Sequence, residues 1–521
     1  MSIDRFSMSP SNADCCVEKT CVRPCAALPL SRQARRGEEN LLKRQIKKFL
    51  EGAMVEVNVG SGIRFEDVPL RRFHLHAGFS ACGGQFADGF ELGIIGIAVA
   101  IAATPLHLTA TWIGLLGAGA LAGLFFGSLL TGVIADRYGR RWIFGYDMLF
   151  AAAISGAQYF ASEPWQLLML RFMLGMVLGA DYVVSKSLVT ELSPIRFRGR
   201  LLSVMAIAWA AGYSFSYVAG FFLQDLGPDA WRYMLLLSAG PAICIFLFRL
   251  GIPESPLWLM KRGRIEEAKW IVSAKLGQGI ALPEPLIQVR KSGGEWAELF
   301  SKKWRTNAAV GAIFYACQVI PYFALGTFLP KILESLHVTD KYTGGLVYNV
   351  FLMLGAVLGM MVIDKMPRRV FLVGTFYLAA ALLALLTLNA LGSAGVVVVF
   401  GLFALVLSAA ANLEFIYPPE LFPTHLRASG VGLAVAASRI GSAMSTFLLP
   451  IIVQAYGVQV ALGACVVVTL VGGVVCQLWA PETGKVSLGC IGDDAPMARA
   501  SRSRYSEPTV VDVNDHATRS T

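Results

Sequence analysis

Two carboxylates, Asp88 and Glu91, lie near the middle of an apolar stretch that runs from residue 75 to residue 108. A carboxylate at the depth of a bilayer costs about 2.5–3.5 kcal/mol or more unless it is paired, protonated or facing water. The two are three residues apart, so they share one helical face with Gln85 one turn earlier. Neighbouring carboxylates in a low-dielectric region resist simultaneous ionisation. The pattern therefore predicts reversible protonation of at least one, and a permanently paired structural acid is the alternative.

Other polar side chains recur inside apolar segments and are candidates for a cavity wall. Arg439 is the most informative, because a cation at this depth requires an anion. That anion is either a substrate carboxylate or Glu414. The aromatic candidates are Tyr315, Tyr322, Phe323 and Tyr348. The predicted cavity set comprises Gln85, Asp181, Lys186, Gln318, Tyr322, Asn349, Asn412, Glu414 and Arg439.

A membrane scaffold must position these residues. The 521-residue chain is 55% apolar and 15% charged, whereas soluble domains carry about 25% charged residues. Twelve apolar runs are long enough to cross a bilayer, which predicts an all-α membrane protein with twelve transmembrane helices. In the first of these runs, residues 75–103, the glycines Gly89, Gly93 and Gly96 lie on one face and predict close contact with a neighbouring helix. The other runs cover 111–134, 142–161, 165–188, 201–223, 231–250, 306–330, 343–364, 369–390, 394–416, 428–452 and 457–480.

One long polar connection, residues 251–305, divides the segments six plus six. The connections after segments 2, 4, 6, 8 and 10 are rich in Lys and Arg, which predicts that they and both termini are cytoplasmic. The net charge of +10 follows from this bias, and nucleic-acid binding is not expected. The predicted parts are a cytoplasmic tail with a possible amphipathic helix (1–72), two six-helix bundles (73–250 and 306–484), a central cytoplasmic loop (251–305) and a disordered tail (485–521).

The charged connections repeat at a nearly constant offset. Asp136 in "IADRYGRR" and Asp364 in "VIDKMPRR" are 228 residues apart. Glu191 and Glu420 are 229 apart, and each has Pro three residues later and Arg seven residues later. In "PESPLWL" and "PETGKVSL" the glutamates are again 228 apart. The chain is therefore predicted to be a parallel duplication with its site between the halves.

These motifs carry a family resemblance. "GVIADRYGRR" resembles the loop 2–3 signature of the major facilitator superfamily, and "ELSPIRFRGR" and "PESPLWL" resemble loop motifs of its sugar-porter and metabolite-porter branches. The stretch containing "FADGFELGIIG" is most similar to bacterial metabolite–proton symporters, including aromatic-acid and nicotinate transporters. The resemblance implies a cytoplasmic gate that stabilises the outward-open state. The gate residues it implies are Gly132, Asp136, Arg137, Gly139, Arg140, Arg141, Glu191, Arg198, Glu254, Asp364, Arg368, Glu420, Arg427 and Glu482.

The resemblance also implies a partner for the helix-1 acids. In proton-coupled sugar porters, an arginine twenty residues before the loop-motif glutamate pairs with such an acid. Arg171 and Glu191 keep that spacing, although snorkelling of Arg171 to the outer surface is the alternative. Asp88 matches the first acid of the aromatic-acid motif and Glu91 aligns with the sugar-porter acid, so either remains a candidate proton carrier.

The expected function is secondary active transport of a small organic solute by alternating access, coupled to protons. An organic or aromatic carboxylate is the first substrate expected, followed by a sugar or polyol and then an organic cation. An uncoupled uniporter and a non-transporting receptor are the other hypotheses. We expect no enzyme activity and no cofactor besides the coupling proton, since no nucleotide-binding motif, metal-ligand cluster or nucleophile constellation is recognisable. The expected setting is the bacterial inner (plasma) membrane, with a small-molecule substrate and a functional monomer.

Overall fold

A computed structural model describes residues 63–65, 68–282, 295–363, 365–388, 390–422 and 426–483. The predicted tail helix before residue 63, the predicted disordered tail and Asp364 lie outside the described residues. The side chains of Asp136, Arg198 and Arg427 are outside the description as well.

The first half of the chain folds into long apolar helices joined by short turns. α4 begins with Pro164 in its first turn, where a missing amide hydrogen removes no helix hydrogen bond. The sixth predicted segment bends at Ser238 and forms two consecutive helices. The helices are α1 (Arg72–Ala102), α2 (Ala110–Tyr138), α3 (Arg141–Gln158), α4 (Pro164–Leu192), α5 (Ile195–Leu223), α6 (Ala230–Leu237) and α7 (Ala239–Arg249).

The connection between the halves contains α8 (Pro256–Lys261), α9 (Ile265–Leu276) and α10 (Glu295–Leu299). A two-residue parallel bridge joins β1 (Ile63–Arg64) to β2 (Ile280–Ala281). Beside this bridge, the buried side chains of Phe65, Val272 and Leu276 form a small apolar cluster. The segment just before α1 is thereby attached to the connection.

The second half repeats the architecture of the first. The tenth predicted segment breaks at Asn412, and the seventh is followed by a short helix. Its helices are α11 (Arg305–Thr327), α12 (Leu329–Ser335), α13 (Lys341–Val362), α14 (Arg368–Thr387), α15 (Ser393–Ala411), α16 (Leu413–Glu420), α17 (Arg427–Tyr456) and α18 (Val458–Trp479).

Eleven spans in the described part of the chain are long and apolar enough to cross a membrane. The third predicted segment forms α3, which is not among them. α3 has only 18 residues and includes Arg141, Asp147 and Gln158, which lower its hydropathy. Its length is still about 27 Å at 1.5 Å per residue, close to the hydrocarbon thickness. α3 packs against α4 and α7 and so completes the first six-segment bundle.

The two halves meet along two main helix pairs, α2 with α17 and α5 with α13. α13 is the counterpart of α2 six segments later, and α17 is the counterpart of α5. Exchanging the halves therefore converts one pair into the other, as a duplicated chain requires.

The predicted glycine seam on α1 is confirmed. A Cβ added at Gly89 would lie 2.1 Å from the carbonyl oxygen of Trp209 on α5, and one at Gly93 would lie 2.8 Å from that of Tyr213. A Cβ at Gly96 would lie 2.0 Å from the carbonyl oxygen of Thr327. Because Thr327 belongs to α11, the seam also brings the two halves together.

Candidate functional site

A central cavity is lined by residues from both halves. Its empty volume is about 710 Å³, including the part that is open to solvent. Predicted residues in its wall are Asp88 from the first half and Tyr322, Asn412, Glu414 and Arg439 from the second. Sequence reasoning missed Tyr182, Trp209 and Ser408, which also line the cavity. These three carry no charge and lie in amphipathic or apolar runs, so nothing in the sequence distinguished them from packing residues.

Cations collect on one side of this cavity. The Arg439 guanidinium carbon lies 4.9 Å from the centre of the Tyr182 ring. The Lys186 ammonium lies 3.4 Å from the same ring centre and 4.0 Å from that of Phe415, so it sits just behind two lining residues. Arg439 is 4% exposed, and no described residue is a hydrogen-bond partner of its Nε. Within the described part of the chain, neither cation has a carboxylate within ion-pair distance, Glu414 included.

Aromatic rings form another part of the cavity wall. Trp209 stacks on Tyr213 with ring centres 5.5 Å apart and lies 5.8 Å from Tyr322. Phe323 packs edge-on against Trp209 at 6.0 Å and against Tyr322 at 5.4 Å. The predicted aromatics Tyr322 and Phe323 thus reach the cavity, whereas Tyr315 and Tyr348 are buried outside its lining. The site combines cations with a flat apolar surface.

The two helix-1 acids have different surroundings although they are three residues apart. Asp88 lines the cavity and accepts a 3.1 Å hydrogen bond from the Gln85 amide. Glu91 points into the first half, where Ser155 donates a hydrogen bond to its carboxylate. Arg171 lies 3.9 Å from Glu91 Oε2 and donates two 3.2 Å hydrogen bonds to the Glu91 backbone oxygen. Arg171 is 0% exposed, which excludes snorkelling in this structure.

A buried cation that sequence reasoning missed pairs with two further buried acids of the first half. Arg249, the last residue of α7, lies 2.7 Å from both Asp147 and Asp181. Asp181 accepts a 2.6 Å hydrogen bond from Ser185 and is not in the cavity lining. We call Arg249, Asp147, Asp181 and Asp88 the Arg249 cluster. A cation at the end of an apolar segment normally indicates only which side of the membrane that end faces, so Arg249 was not singled out. The excess of acids in segments 1, 3 and 4 was the one sequence feature that indicated a buried cation nearby.

The three predicted amides differ in what they contact, and one of them joins two helices. Asn412 lines the cavity and also donates 3.2 Å hydrogen bonds to the carbonyl oxygens of Ala356 and Ala409, joining α13 to α15. Asn349 donates to Gly345 within its own helix at 2.9 Å. Gln318 is 2% exposed and lies outside the lining, and neither its side-chain oxygen nor its nitrogen has a hydrogen-bond partner in the described part of the chain.

The charged connections form two equivalent clusters, one in each half. In the first, Glu254 accepts hydrogen bonds from the backbone amides of Arg140 (2.9 Å) and Arg141 (3.0 Å), which begin α3. Glu191 pairs with the Arg140 side chain and accepts a 2.5 Å hydrogen bond from Ser255. A carboxylate at a helix N-terminus stabilises the helix dipole and satisfies free amide hydrogens. Gly139 permits this approach, because it has φ +99° and a Cβ there would lie 2.4 Å from Glu254.

The second cluster repeats these contacts 228 or 229 residues later. Glu482 accepts from the backbone amides of Arg368 (2.8 Å) and Arg369 (3.0 Å). Glu420 lies 3.9 Å from Arg368 Nε and accepts a 2.5 Å hydrogen bond from Thr483. Two other predicted gate residues lie outside these contacts. Arg137 is exposed, and its backbone carbonyl oxygen accepts a 2.6 Å hydrogen bond from the Arg262 side chain. A Cβ added at Gly132 would meet no atom within 4 Å. These contacts lie within single halves, so a lock between the halves stays a prediction.

Known proteins share both the sequence and the architecture. The family described as "Sugar (and other) transporter" matches residues 77–493. The chain is 39% identical over 433 residues to the inner membrane metabolite transport protein YgcS of Escherichia coli strain K12, covering 83% of this chain and 97% of that protein. It is 24% identical over 385 residues to the niacin transporter NiaP of Acinetobacter baylyi, covering 73% and 87%. Among solved structures, a partially occluded inward-open xylose transporter XylE from E. coli superposes with a TM-score of 0.67 at 19% identity, covering 80% of this chain and 100% of that chain.

Proposed function

The chain belongs to the sugar (and other) transporter family of the major facilitator superfamily, and from that premise we propose that it carries a small organic carboxylate across a membrane together with a proton. Membership confirms the fold and the transporter class predicted from the repeated loop motifs. It also places the chain among transporters rather than enzymes. The substrate class, the coupling ion, the orientation and the monomeric state are our proposal.

The observation that carries the substrate proposal is a pair of cations at the cavity that form no ion pair closer than 4 Å with a carboxylate in the described part of the chain. Arg439 presents a free Nε, and Lys186 stands behind Tyr182 without a carboxylate partner in the described residues. A guanidinium group binds a carboxylate through paired hydrogen bonds, which are stronger than neutral ones. A bound carboxylate would give Arg439 a hydrogen-bonded anion, which no described carboxylate supplies within 4 Å. Because Asp88 and Glu414 line the same cavity, the preference for an anionic solute over a sugar or a cation rests on this close contact and not on the net charge of the wall.

The aromatic wall supports a flat apolar body for the same solute. Trp209, Tyr322 and Phe323 present ring faces and edges to the cavity, and aromatic rings pack favourably in such arrangements. The relative NiaP is named a niacin transporter, and niacin is an aromatic carboxylate. We therefore propose an aromatic monocarboxylate as the preferred substrate.

For coupling, we assign the proton that drives transport to Glu91. At about 4 Å, opposite unit charges attract by about 4 kcal/mol at an effective dielectric constant of 20. Protonating Glu91 would remove that attraction to Arg171, which lies 3.9 Å away, while the two bonds to the backbone oxygen remain. About 5.5 kcal/mol shifts a two-state equilibrium from 1:99 to 99:1. Loss of this ion pair is therefore large enough to bias the inward-facing and outward-facing states.

The Lys- and Arg-rich connections complete the proposal. We place them and both termini in the cytoplasm of a bacterial cell, with the protein working as a monomer in the inner membrane. Because Glu254 and Glu482 hold the first turns of α3 and α14, each charged cluster keeps its own half rigid. Two rigid halves that rock about the central cavity would provide alternating access.

The test is transport by the purified full-length chain in liposomes that contain a pH-sensitive dye. Benzoate, nicotinate, acetate, xylose and tetraethylammonium are added in turn while internal pH and labelled solute are followed. We expect acidification with an aromatic carboxylate, and its loss in Glu91→Gln. Solute entry without proton movement would refute proton coupling, and entry of xylose alone would refute the carboxylate assignment.

Matched variants separate binding from folding. Arg439→Gln removes the proposed carboxylate partner, and we expect an increase in KM of about 10-fold or more, because a hydrogen bond to a charged group contributes about 1.5–3 kcal/mol. Arg264→Gln is the control, since Arg264 is half exposed on the central connection and pairs with Glu267. An unchanged KM in Arg439→Gln would contradict the substrate proposal.

A further inference from the structure

The Arg249 cluster joins four helices of the first half. Arg249 on α7 bridges Asp147 on α3 and Asp181 on α4 at 2.7 Å each. Asp181 also approaches α1 one turn before Asp88, because a Cβ added at Gly84 would lie 2.7 Å from Asp181 Oδ2. Arg249 also donates to the backbone oxygens of Ser80 (3.3 Å) and Phe144 (3.1 Å) and to Ser185 Oγ (3.3 Å). The guanidinium is therefore held in one position by contacts from α1, α3 and α4.

The charges in this cluster do not balance. It contains three carboxyl groups and one guanidinium group, so it would carry two uncompensated negative charges if every group were ionised. Each of the four residues is 4% exposed or less. Buried ions require an opposite charge or a change of protonation state. A bound proton is the simplest means of reducing this excess.

Four buried acceptors point to where a proton is needed. Asp88 Oδ1, Asp147 Oδ2, Asp181 Oδ2 and Gln85 Oε1 have no hydrogen-bond partner among the residues that the structure describes. When the acids are ionised, all four atoms are hydrogen-bond acceptors, so none of them can donate a hydrogen bond to another. A protonated carboxyl group becomes a donor. One proton on Asp88 or Asp181 would create a hydrogen bond between these two neighbouring acids.

Among the described residues, Arg249 is the one cation within ion-pair distance of the cluster acids, and Arg439 lines the same cavity as Asp88 without forming an ion pair with it. The charged groups that act on Asp88 are Asp181 on α4, Arg249 on α7 and Asp147 on α3. The cavity neighbours of Asp88 on α5 and α11, including Trp209 and Tyr322, are uncharged. Glu91, on the same helix, is held by Arg171 and Ser155.

We propose that the Arg249 cluster is a second proton-binding site, separate from Glu91, in which at least one proton is shared between Asp88 and Asp181. Asp88 lines the cavity, whereas the other three cluster members do not, so the proton exchanges with cavity water through Asp88. The step is a simple transfer from hydronium to a carboxylate, and Arg249 keeps the acids together in both states. The site stands on its own geometry and does not depend on coupling at Glu91.

The test measures bound protons without any solute. The full-length chain in lipid nanodiscs is titrated by infrared spectroscopy, following the carbonyl stretching band of protonated carboxylic acids. We expect Asp88→Asn and Asp181→Asn each to remove the same component of that band. Glu91→Gln should leave that component in place, and Asp225→Asn, which alters an exposed acid, is the matched control. Size-exclusion chromatography confirms folding, and either cluster variant suffices if the other misfolds.

Two results would overturn the proposal. The first is a band that persists in full in both Asp88→Asn and Asp181→Asn. The second is a band component that disappears when sodium replaces potassium at constant pH, because the cluster would then hold a metal cation in place of the proton. Failure of solute-driven acidification at Glu91 would leave the infrared result unaffected, so the two proposals are tested separately.

Discussion

Gly84→Ala tests whether the buried ionic contacts of the first half stabilise the protein. A Cβ at position 84 would lie 1.8 Å from Arg249 Nη2 and 2.7 Å from Asp181 Oδ2. Real Cβ contacts essentially never fall below 3.0 Å, so the guanidinium must move by about 1.2 Å. That movement is large compared with the tolerance of a 2.7 Å hydrogen-bonded ion pair.

The expected cost follows from two opposing contributions. Disrupting one partner of a buried ion pair costs about 3–5 kcal/mol. Replacing glycine by alanine inside a helix returns about 0.5–1 kcal/mol. The net destabilisation expected for Gly84→Ala is therefore about 2–4.5 kcal/mol. Gly156→Ala on α3 is the matched control, since a Cβ there meets no atom within 4 Å and the variant should be neutral or slightly stabilising.

The assay is thermal unfolding in detergent, followed by the fraction of protein that stays monodisperse after heating. Arg249→Lys is combined with Gly84→Ala in a double-mutant cycle, because the smaller ammonium leaves room for the new methyl group. We expect the double variant to be more stable than the sum of the single effects by about 1 kcal/mol or more. Additive effects, or a Gly84→Ala variant as stable as Gly156→Ala, would refute the reasoning.

Three further predictions address function and the ends of the helices. Glu91→Gln should retain exchange of labelled solute across liposomes while losing proton-driven accumulation, and loss of both would argue for a structural role. Gly345→Ala should separate α13 from α5, because its Cβ would lie 1.8 Å from the Tyr217 hydroxyl oxygen and 2.2 Å from the ring carbon Cζ. Cross-linking between the halves should fall, and it should recover in combination with Tyr217→Ala, which removes the whole ring. Hydrogen bonds from the hydroxyl and amide of Thr343 hold the pKa of Asp340 below its usual value of about 3.9. The ionised Asp340 therefore stabilises the folded protein above the usual pKa, and this stabilisation is lost as the pH falls through the lower pKa of the folded state. Asp340→Ala should reduce thermal stability at neutral pH and should be as stable as the parent in strong acid.

The repeated loop motifs show how far local sequence reaches. Their constant offset predicted equivalent positions, and the structure places Glu254 and Glu482 on the amide groups that begin equivalent helices. These contacts are hydrogen bonds from the backbone amides at a helix N-terminus to a nearby carboxylate. Their partners were nevertheless found only in three dimensions, because Glu254 lies 114 residues from Arg140 along the chain.

For the helix-1 acids, the sequence predicted a shared face but not the different surroundings of the two side chains. A spacing of three placed Asp88 and Glu91 on one face, and the pairing of Glu91 with Arg171 was expected from a family spacing. Helix packing then separated their roles, since Asp88 reaches the cavity and Glu91 reaches α4. Arg249 was missed because an arginine at the end of an apolar segment has the same local sequence whether it faces water or three buried acids.

By itself, the sequence determined the membrane class, the helix order, the duplication and the family, because hydropathy, charge bias and motif spacing are properties of the linear chain. The tertiary structure decided which buried charges are compensated. Arg249 forms ion pairs with Asp147 and Asp181, and Glu91 forms one with Arg171. In the described residues, Arg439 has no carboxylate within ion-pair distance. That outcome depends on which helix faces meet within about 4 Å, and electrostatic interactions in a low-dielectric interior are decided at that distance.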